Sequence, residues 1–169
     1  IMTTDTRPKV AYEECKVGSK LVKISGIAKG SGMIAPNMAT MLCFVATDAA
    51  VEQDFLRSIL PDIADSTLNM LDIDGDTSTN DSLVDLANGA AGNASITAGS
   101  ADADSFRDAL KDVLVQLTRQ LAQDGEGATT LIVAEVQGAQ NTADARIVAK
   151  TITSSLLVKS AVYGADPNW

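Results

Sequence analysis

The strongest constraint on the fold lies between Asp104 and Gln123. Phe106, Leu110, Val113, Leu114, Leu117 and Leu121 recur there at helical spacing, while Arg107, Lys111, Asp112 and Arg119 take the other side. A helix with so broad an apolar stripe has to bury it against another layer. Asp124-Gly125-Glu126-Gly127 stops the helix, with Gly125 placed as its C′ residue. Three segments can supply the covering layer. Ser19 to Ala28 is rich in β-branched residues, Thr40 to Thr47 is apolar on both faces and so central in its sheet, and Thr129 to Val136 reads as a clear strand.

The other segments fill in the pattern. Residues 1–18 are polar and irregular, with Pro8 breaking any regular element. Val51 to Met70 has helical spacing at Phe55, Leu56, Ile59, Leu60 and Ile63, with Pro61 expected to kink or split it. Asp72 to Ser82 is a polar loop, Asp81 to Ala91 a short helix with Leu83, Val84 and Leu86 inward, and Asn88 to Ser100 loose and glycine-bearing. Thr142 to Tyr163 is a second long helix, N-capped by Asn141 or Thr142, with Ile147, Val148, Ile152, Leu156, Leu157 and Val158 on its apolar face. Long helices alternating with apolar strands predict a layered α/β architecture.

Composition narrows the function. A net charge of −9 argues against nucleic acid, whose phosphates would be repelled. The chain has no histidine and only two cysteines, Cys15 and Cys43, which excludes a Cys/His zinc site or a Ser-His-Asp triad within these 169 residues. Two free thiols fit a cytoplasmic protein. No segment approaches the ~18 apolar residues of a membrane span, and no signal peptide opens the chain. The opening Ile1-Met2-Thr3-Thr4-Asp5 does not look like a natural start, so the chain is expected to be a piece of a longer protein.

Three motifs carry chemistry. In Lys29-Gly30-Ser31-Gly32-Met33-Ile34-Ala35-Pro36-Asn37-Met38-Ala39-Thr40-Met41-Leu42, a glycine loop leads to a small residue directly before a hydroxyl residue. The Thr40 hydroxyl can attack the preceding bond, and cleavage would leave a nucleophile and a basic amine on one residue. As a phosphate cradle the loop lacks the Walker lysine and the Rossmann spacing, and taken alone it is a hairpin connection. Asp72, Asp74 and Asp76 take positions 1, 3 and 5 of an EF-hand-like loop, but Thr77 stands where glycine belongs and Leu83 where a bidentate Glu belongs. That mismatch disfavours calcium; a solvated loop held by Asx and Ser/Thr turns is expected. Asp124-Gly125-Glu126-Gly127 is either a helix stop with a solvated acid or a carboxylate presented to a substrate ammonium, and spacing alone favours the former.

Taken together, the run from Lys29 to Leu42, Asp76-Thr77-Ser78-Thr79-Asn80-Asp81, Asp124-Gly125-Glu126-Gly127-Ala128-Thr129 and Tyr163-Gly164-Ala165-Asp166-Pro167-Asn168-Trp169 resemble the ornithine acetyltransferases, also called glutamate N-acetyltransferases. The resemblance spans nearly the whole chain, in order. It implies an αββα-type sandwich like that of N-terminal-nucleophile aminopeptidases. It also implies an arginine-pathway enzyme that moves acetyl from N2-acetyl-L-ornithine to L-glutamate, some relatives also using acetyl-CoA. Such precursors cleave themselves at the bond matching Ala39-Thr40. Residues 1–39 would then end an α subunit and residues 40–169 begin a β subunit, as the central part of an α2β2 assembly. Thr40 is implied as nucleophile, with Lys29, Thr40 and Glu126 binding substrate. No metal and no organic cofactor is implied, and neither a nucleic-acid nor a membrane partner. The family's oxyanion donors, a Thr-Gly pair, lie upstream of this chain's counterpart, and an asparagine and a hydroxyl residue of its substrate site lie beyond Trp169. Two rivals stand beside this reading: an N-terminal-nucleophile aminopeptidase or amidase that passes the acyl group to water, and an inactive fragment serving as an interaction module.

Overall fold

A computed structural model of the chain describes residues 1–35, 41–77 and 79–167. Its elements are β1 (Lys9–Val17), β2 (Lys20–Lys29), β3 (Leu42–Thr47), α1 (Gln53–Ser66) with a 3-10 turn at Leu68–Met70, β4 (Ser82–Ala87), α2 (Ala103–Gln123), α3 (Thr142–Ser154) and α4 (Leu156–Tyr163). The four strands form one sheet in the order β1-β2-β3-β4. The first two pairings are antiparallel, and β4 joins β3 in parallel after the chain crosses over through α1. The expected mixed, layered α/β architecture is what forms, with β3 inside the sheet.

Burial follows the two periods. Val22, Ile24, Cys43 and Val45 point to one face of the sheet, where α2 lies across β1 and β2. Phe106, Leu110, Val113, Leu114, Leu117 and Leu121 are completely buried between them. At about 1.5–3 kcal/mol for each such side chain, this interface is the main source of cohesion. Among the described residues, nothing covers the opposite face of the sheet. The register aligns Val10, Ile27, Phe44 and Val84 in one row across all four strands, with Tyr12, Leu21 and Leu86 nearby. Of these, Val10, Tyr12, Leu21, Ile27, Val84 and Leu86 are exposed.

Several expectations are corrected. Lys9–Val17 is a regular strand, not an irregular stretch, because Pro8 precedes it and needs no ladder bond from within it. Residues 82–87 form β4, not a short helix: pairing with β3 outweighs the local pattern. Thr129 to Val136 pairs with no strand among the described residues, although its burial alternates from Leu131 onward. Pro61 does not split α1; it faces solvent, so the carbonyl deprived of its donor is left to water. The long C-terminal helix breaks at Ser155, which caps α4 by accepting the Val158 N–H. Asn141 caps α3 as expected, but Ile147, Val148, Ile152, Leu156 and Leu157 are exposed rather than buried. Gly125 follows the α2 C-cap Asp124, as expected of the C′ residue, while the left-handed glycine of this turn is Gly127.

Candidate active site

The glycine loop leaves β2 at Lys29, a buried residue whose Nζ donates to Thr3 Oγ1 at 3.1 Å. Gly30 has φ +140° and donates its N–H to Asp5 Oδ1 at 2.7 Å. A Cβ at Gly30 would meet Ile34 Cδ1 at 2.9 Å, so both conformation and space call for glycine. Ser31 accepts the Glu126 N–H on its carbonyl at 2.7 Å, and its hydroxyl lies 2.7 Å from that of Thr4. Met33 is left-handed at φ +55°, a conformation supported from outside: Asp74 accepts the N–H groups of Met33 and Ile34 at 2.5 and 3.0 Å.

The 72–81 loop grips the glycine loop on both sides of residues 36–40. Before them, Ile73 N–H donates to Ile34 O at 2.6 Å and Ala35 N–H to Asp76 O at 3.0 Å. After them, the Asp81 carboxylate accepts the Met41 N–H, and Ser82 N–H donates to Met41 O at 3.0 Å. The strand character of residues 82–87 makes this possible, because parallel pairing of β4 with β3 sets Asp81 beside Met41. Asp74 also accepts the Asp76 N–H at 3.2 Å, an Asx-type turn of the kind expected for this loop. The expected cleavage pair, Ala39 and Thr40, lies outside the described residues, as do Pro36, Asn37 and Met38. Ser78, Asn168 and Trp169 of the other motifs lie outside them too.

The third motif meets the same loop. Glu126 is exposed, with its side chain against Gly32. It also forms part of the wall of an open cleft of about 380 Å³, with Asp72, Arg119, Thr130, Ala149 and Tyr163. Lys159 of α4 pairs with Asp72 and donates to Ile73 O at 3.0 Å, joining the C-terminal helices to this region.

Beneath these segments lies a buried ion cluster. Lys9 Nζ sits between Asp5 Oδ1, at 2.5 Å, and Asp124 Oδ2, with no side-chain exposure at Lys9 or Asp5. Asp124 also accepts the Thr6 N–H at 3.0 Å and the Thr6 hydroxyl. Burial pushes both carboxyls up, but donors outweigh it: the Gly30 and Thr3 N–H groups and Lys9 at Asp5, Lys9 and Thr6 at Asp124. Each carboxyl is held at about 2. Removing Lys9 alone would leave Asp5 with only its Thr3 and Gly30 N–H donors and Asp124 with Thr6 and an Arg7 Nε 3.9 Å away, at a cost of about 3–5 kcal/mol for breaking a buried pair.

The β4 carboxylates behave in the opposite way. Burial raises Asp81 despite the Met41 N–H, and its Oδ2 is buried with no partner among the described residues. Burial carries Asp85 up to about 6, and neither of its oxygens has a hydrogen-bond partner among the described residues. Cys43 is pushed up to about 12 by its own burial and by Asp85, so it is an inert packed thiol; Cys15 is raised by burial too.

Two of the expected site residues lie on segments that meet: Lys29 opens the glycine loop, and the Glu126 N–H is bonded to that loop at Ser31. Sequence reasoning missed Asp5, Lys9, Asp74, Asp81 and Asp124 as parts of the arrangement. For Lys9 a weak signal existed, since it shares its parity with inward-facing Ala11, Cys15 and Val17.

Comparison with known proteins agrees with this picture. The sequence pattern of the ArgJ family matches residues 1–169. The arginine biosynthesis bifunctional protein ArgJ of Symbiobacterium thermophilum is 54% identical over all 169 residues, which cover 42% of that protein. Those of Lactococcus lactis and Bacillus subtilis are 50% and 52% identical, again over the whole chain and over 43% and 42% of their own lengths. The chain therefore spans well under half the length of the curated relatives it matches. The crystal structure of ArgJ from Bacillus halodurans superimposes with a TM-score of 0.72 at 48% identity, covering 75% of this chain and 59% of that one. With the whole sequence matched and the fold shared, the chain belongs to the ArgJ family.

Proposed function

We propose that the protein to which this chain belongs transfers acetyl from N2-acetyl-L-ornithine to L-glutamate in arginine biosynthesis, through an acetyl ester on Thr40. One observation carries the reading: the 72–81 loop holds Ala35 and Met41, the described residues on either side of the scissile pair, while Glu126 is anchored to Ser31 of the glycine loop. Three distant motifs converge on one peptide segment. Family membership supports the arginine-pathway assignment.

In the precursor the Thr40 hydroxyl attacks the Ala39 carbonyl carbon, the acyl group shifts from nitrogen to oxygen, and water hydrolyses the ester. This frees a carboxylate on Ala39 and an amine on Thr40. An N-terminal amine titrates at roughly 7.7–8.0, close enough to neutrality to act as a general base. It takes the hydroxyl proton as Thr40 attacks the acetyl amide, and the departing ornithine amine receives a proton. Glutamate's amine then attacks the acetyl-threonine ester and restores the hydroxyl. Lys29 and Glu126 bind substrate, Glu126 as counter-charge to an ammonium and Lys29 to a carboxylate. As written, these steps need neither metal nor organic cofactor.

Residues 1–39 end one subunit and residues 40–169 begin the other, in a cytoplasmic α2β2 enzyme. The remaining segments of both subunits supply the oxyanion donors and cover the sheet face opposite α2, completing the αββα sandwich; acetyl-CoA serves as a second donor in some relatives. Intact mass under denaturing conditions tests the cleavage, which predicts two polypeptides, the second beginning Thr-Met-Leu-Cys. Transfer from acetylornithine to labelled glutamate tests the reaction. Release of free acetate without acetylglutamate sinks it in favour of an amidase, and a full-length protein that never cleaves favours a non-enzymatic role.

A further inference from the structure

We propose that Lys9 is a positioning residue for the acetyl-transfer site, whose ammonium sets the Lys29 and Glu126 side chains relative to one another. The proposal rests on the reading of Lys29 and Glu126 as substrate-binding residues.

Two arms run from Lys9. The first passes through Asp5, which accepts from Lys9 Nζ at 2.5 Å and from Gly30 N–H at 2.7 Å. Asp5 Oδ2 also accepts the Thr3 N–H at 3.2 Å, and Thr3 Oγ1 receives Lys29 Nζ at 3.1 Å. Lys9 thus reaches the Lys29 ammonium through Asp5 and Thr3, and the backbone beside Lys29 through Gly30. The second arm passes through Asp124, the C-cap of α2 and the residue two before Glu126. Asp124 is paired with Lys9 and held by both groups of Thr6. Lys9 itself is fixed as the first residue of β1, on the side that faces α2.

Burial makes this link specific. With side-chain exposures of 0%, 0% and 3% at Lys9, Asp5 and Asp124, water has little access to the cluster, and a second cation, Arg7 Nε, stands 3.9 Å from Asp124 Oδ1. An apolar side chain could fill the space, but nothing apolar would orient two carboxylates that lie 119 residues apart in sequence (124 − 5). The charge at Lys9 therefore does for geometry what packing cannot.

The test is a double-mutant cycle in the full-length, self-cleaved protein, reading KM and kcat for transfer alongside the melting temperature. Lys9→Met is expected to raise KM about tenfold in the wild-type background and only about threefold when Glu126→Gln is already present, because the Lys29 arm alone then remains. The same fold-change in both backgrounds marks Lys9 as merely structural and overturns the proposal, as does an unchanged KM. If Lys9→Met does not fold, Lys9→Arg, which keeps the charge and alters its geometry, is read by the same cycle and the same criteria. Glu126→Gln alone is measured first. If its KM is that of the wild type, the substrate reading of Glu126 fails, and Lys29→Met replaces it in the cycle.

Discussion

Gly32 and Glu126 approach so closely that a Cβ on Gly32 would stand 2.7 Å from Glu126 Oε2. The glycine is therefore part of the seat of that carboxylate. Because the obstructing atom is the far end of a flexible chain, Gly32→Ala should move Glu126 rather than unfold the loop. The expected outcome in the full-length enzyme is a rise in KM of roughly three- to tenfold with kcat and melting temperature nearly unchanged. Steady-state kinetics with a thermal melt checks it.

The grip of Asp74 on Met33 and Ile34 should set the rate of self-cleavage. Asp74→Ala removes two charge-assisted hydrogen bonds to the glycine loop and a third to Asp76, and leaves a left-handed Met33 without its support. At about 1.5–3 kcal/mol per such bond, cleavage should slow by at least tenfold. Following the appearance of the fragment beginning at Thr40 by mass spectrometry measures this. Unaltered cleavage kinetics would remove Asp74 from the account.

Thr40→Ala should abolish both cleavage and transfer, leaving a single full-length polypeptide by intact mass. A variant that still processes normally shows that another group is the nucleophile.

Stability should pass through a maximum in mildly acidic solution. Asp5 and Asp124, held at about 2, contribute stability that is present above the unfolded carboxyl range and is lost as pH falls towards 2. Asp85, raised to about 6, works with the opposite sign. Its contribution is complete below pH 4 and is lost as pH rises through 6, by about 3 kcal/mol at ~1.4 kcal/mol per pKa unit. Burial raises Asp81 as well and adds in the same direction. In Asp85→Asn the loss between pH 4 and pH 7 should shrink to a fraction of that of the parent chain. Urea midpoints across that range decide it.

Gly26 lies in β2 beneath α2, where a Cβ would meet Leu117 Cδ1 at 2.8 Å and Val113 Cγ1 at 2.9 Å. Gly26→Ala should overpack this contact and cost about 1–3 kcal/mol. In a chain of this size that corresponds to a fall in melting temperature of roughly 2–12 °C.

What was legible in the sequence depended on whether the signal was local. The α2 stripe needed only its own residues, and β2 and β3 announced themselves by β-branched and apolar runs. The glycine loop and the Asp124–Gly127 motif could be recognised as segments. β4 was misread because Asp85 occupies an inward position, which breaks the alternation that would have marked a strand; only pairing with β3 rescues it. β1 was obscured in the same way by Lys9, a charged residue on the buried side. For Thr129 to Val136 the local pattern was strand-like, but a strand also needs a ladder partner, and that is a property of the whole assembly. The ion cluster was invisible for a similar reason: Lys9 and Asp124 are 115 positions apart, and nothing near either one names the other.

Because β2 and β3 are neighbours joined through the glycine loop, a cut after residue 39 would sever a hairpin without parting its strands. Six register pairs, from Ile24↔Thr47 to Lys29↔Leu42, would still hold the pieces, with α2 packed across β2. Yet such a molecule could be assembled easily only once. While the connection is intact, the two strands find each other as parts of one chain; afterwards they are separate solutes that must collide. Recovery from denaturation would then depend on protein concentration in the cut form and not in the uncut one. The order of events, fold first and cut second, would be recorded in the protein as a step it cannot retrace.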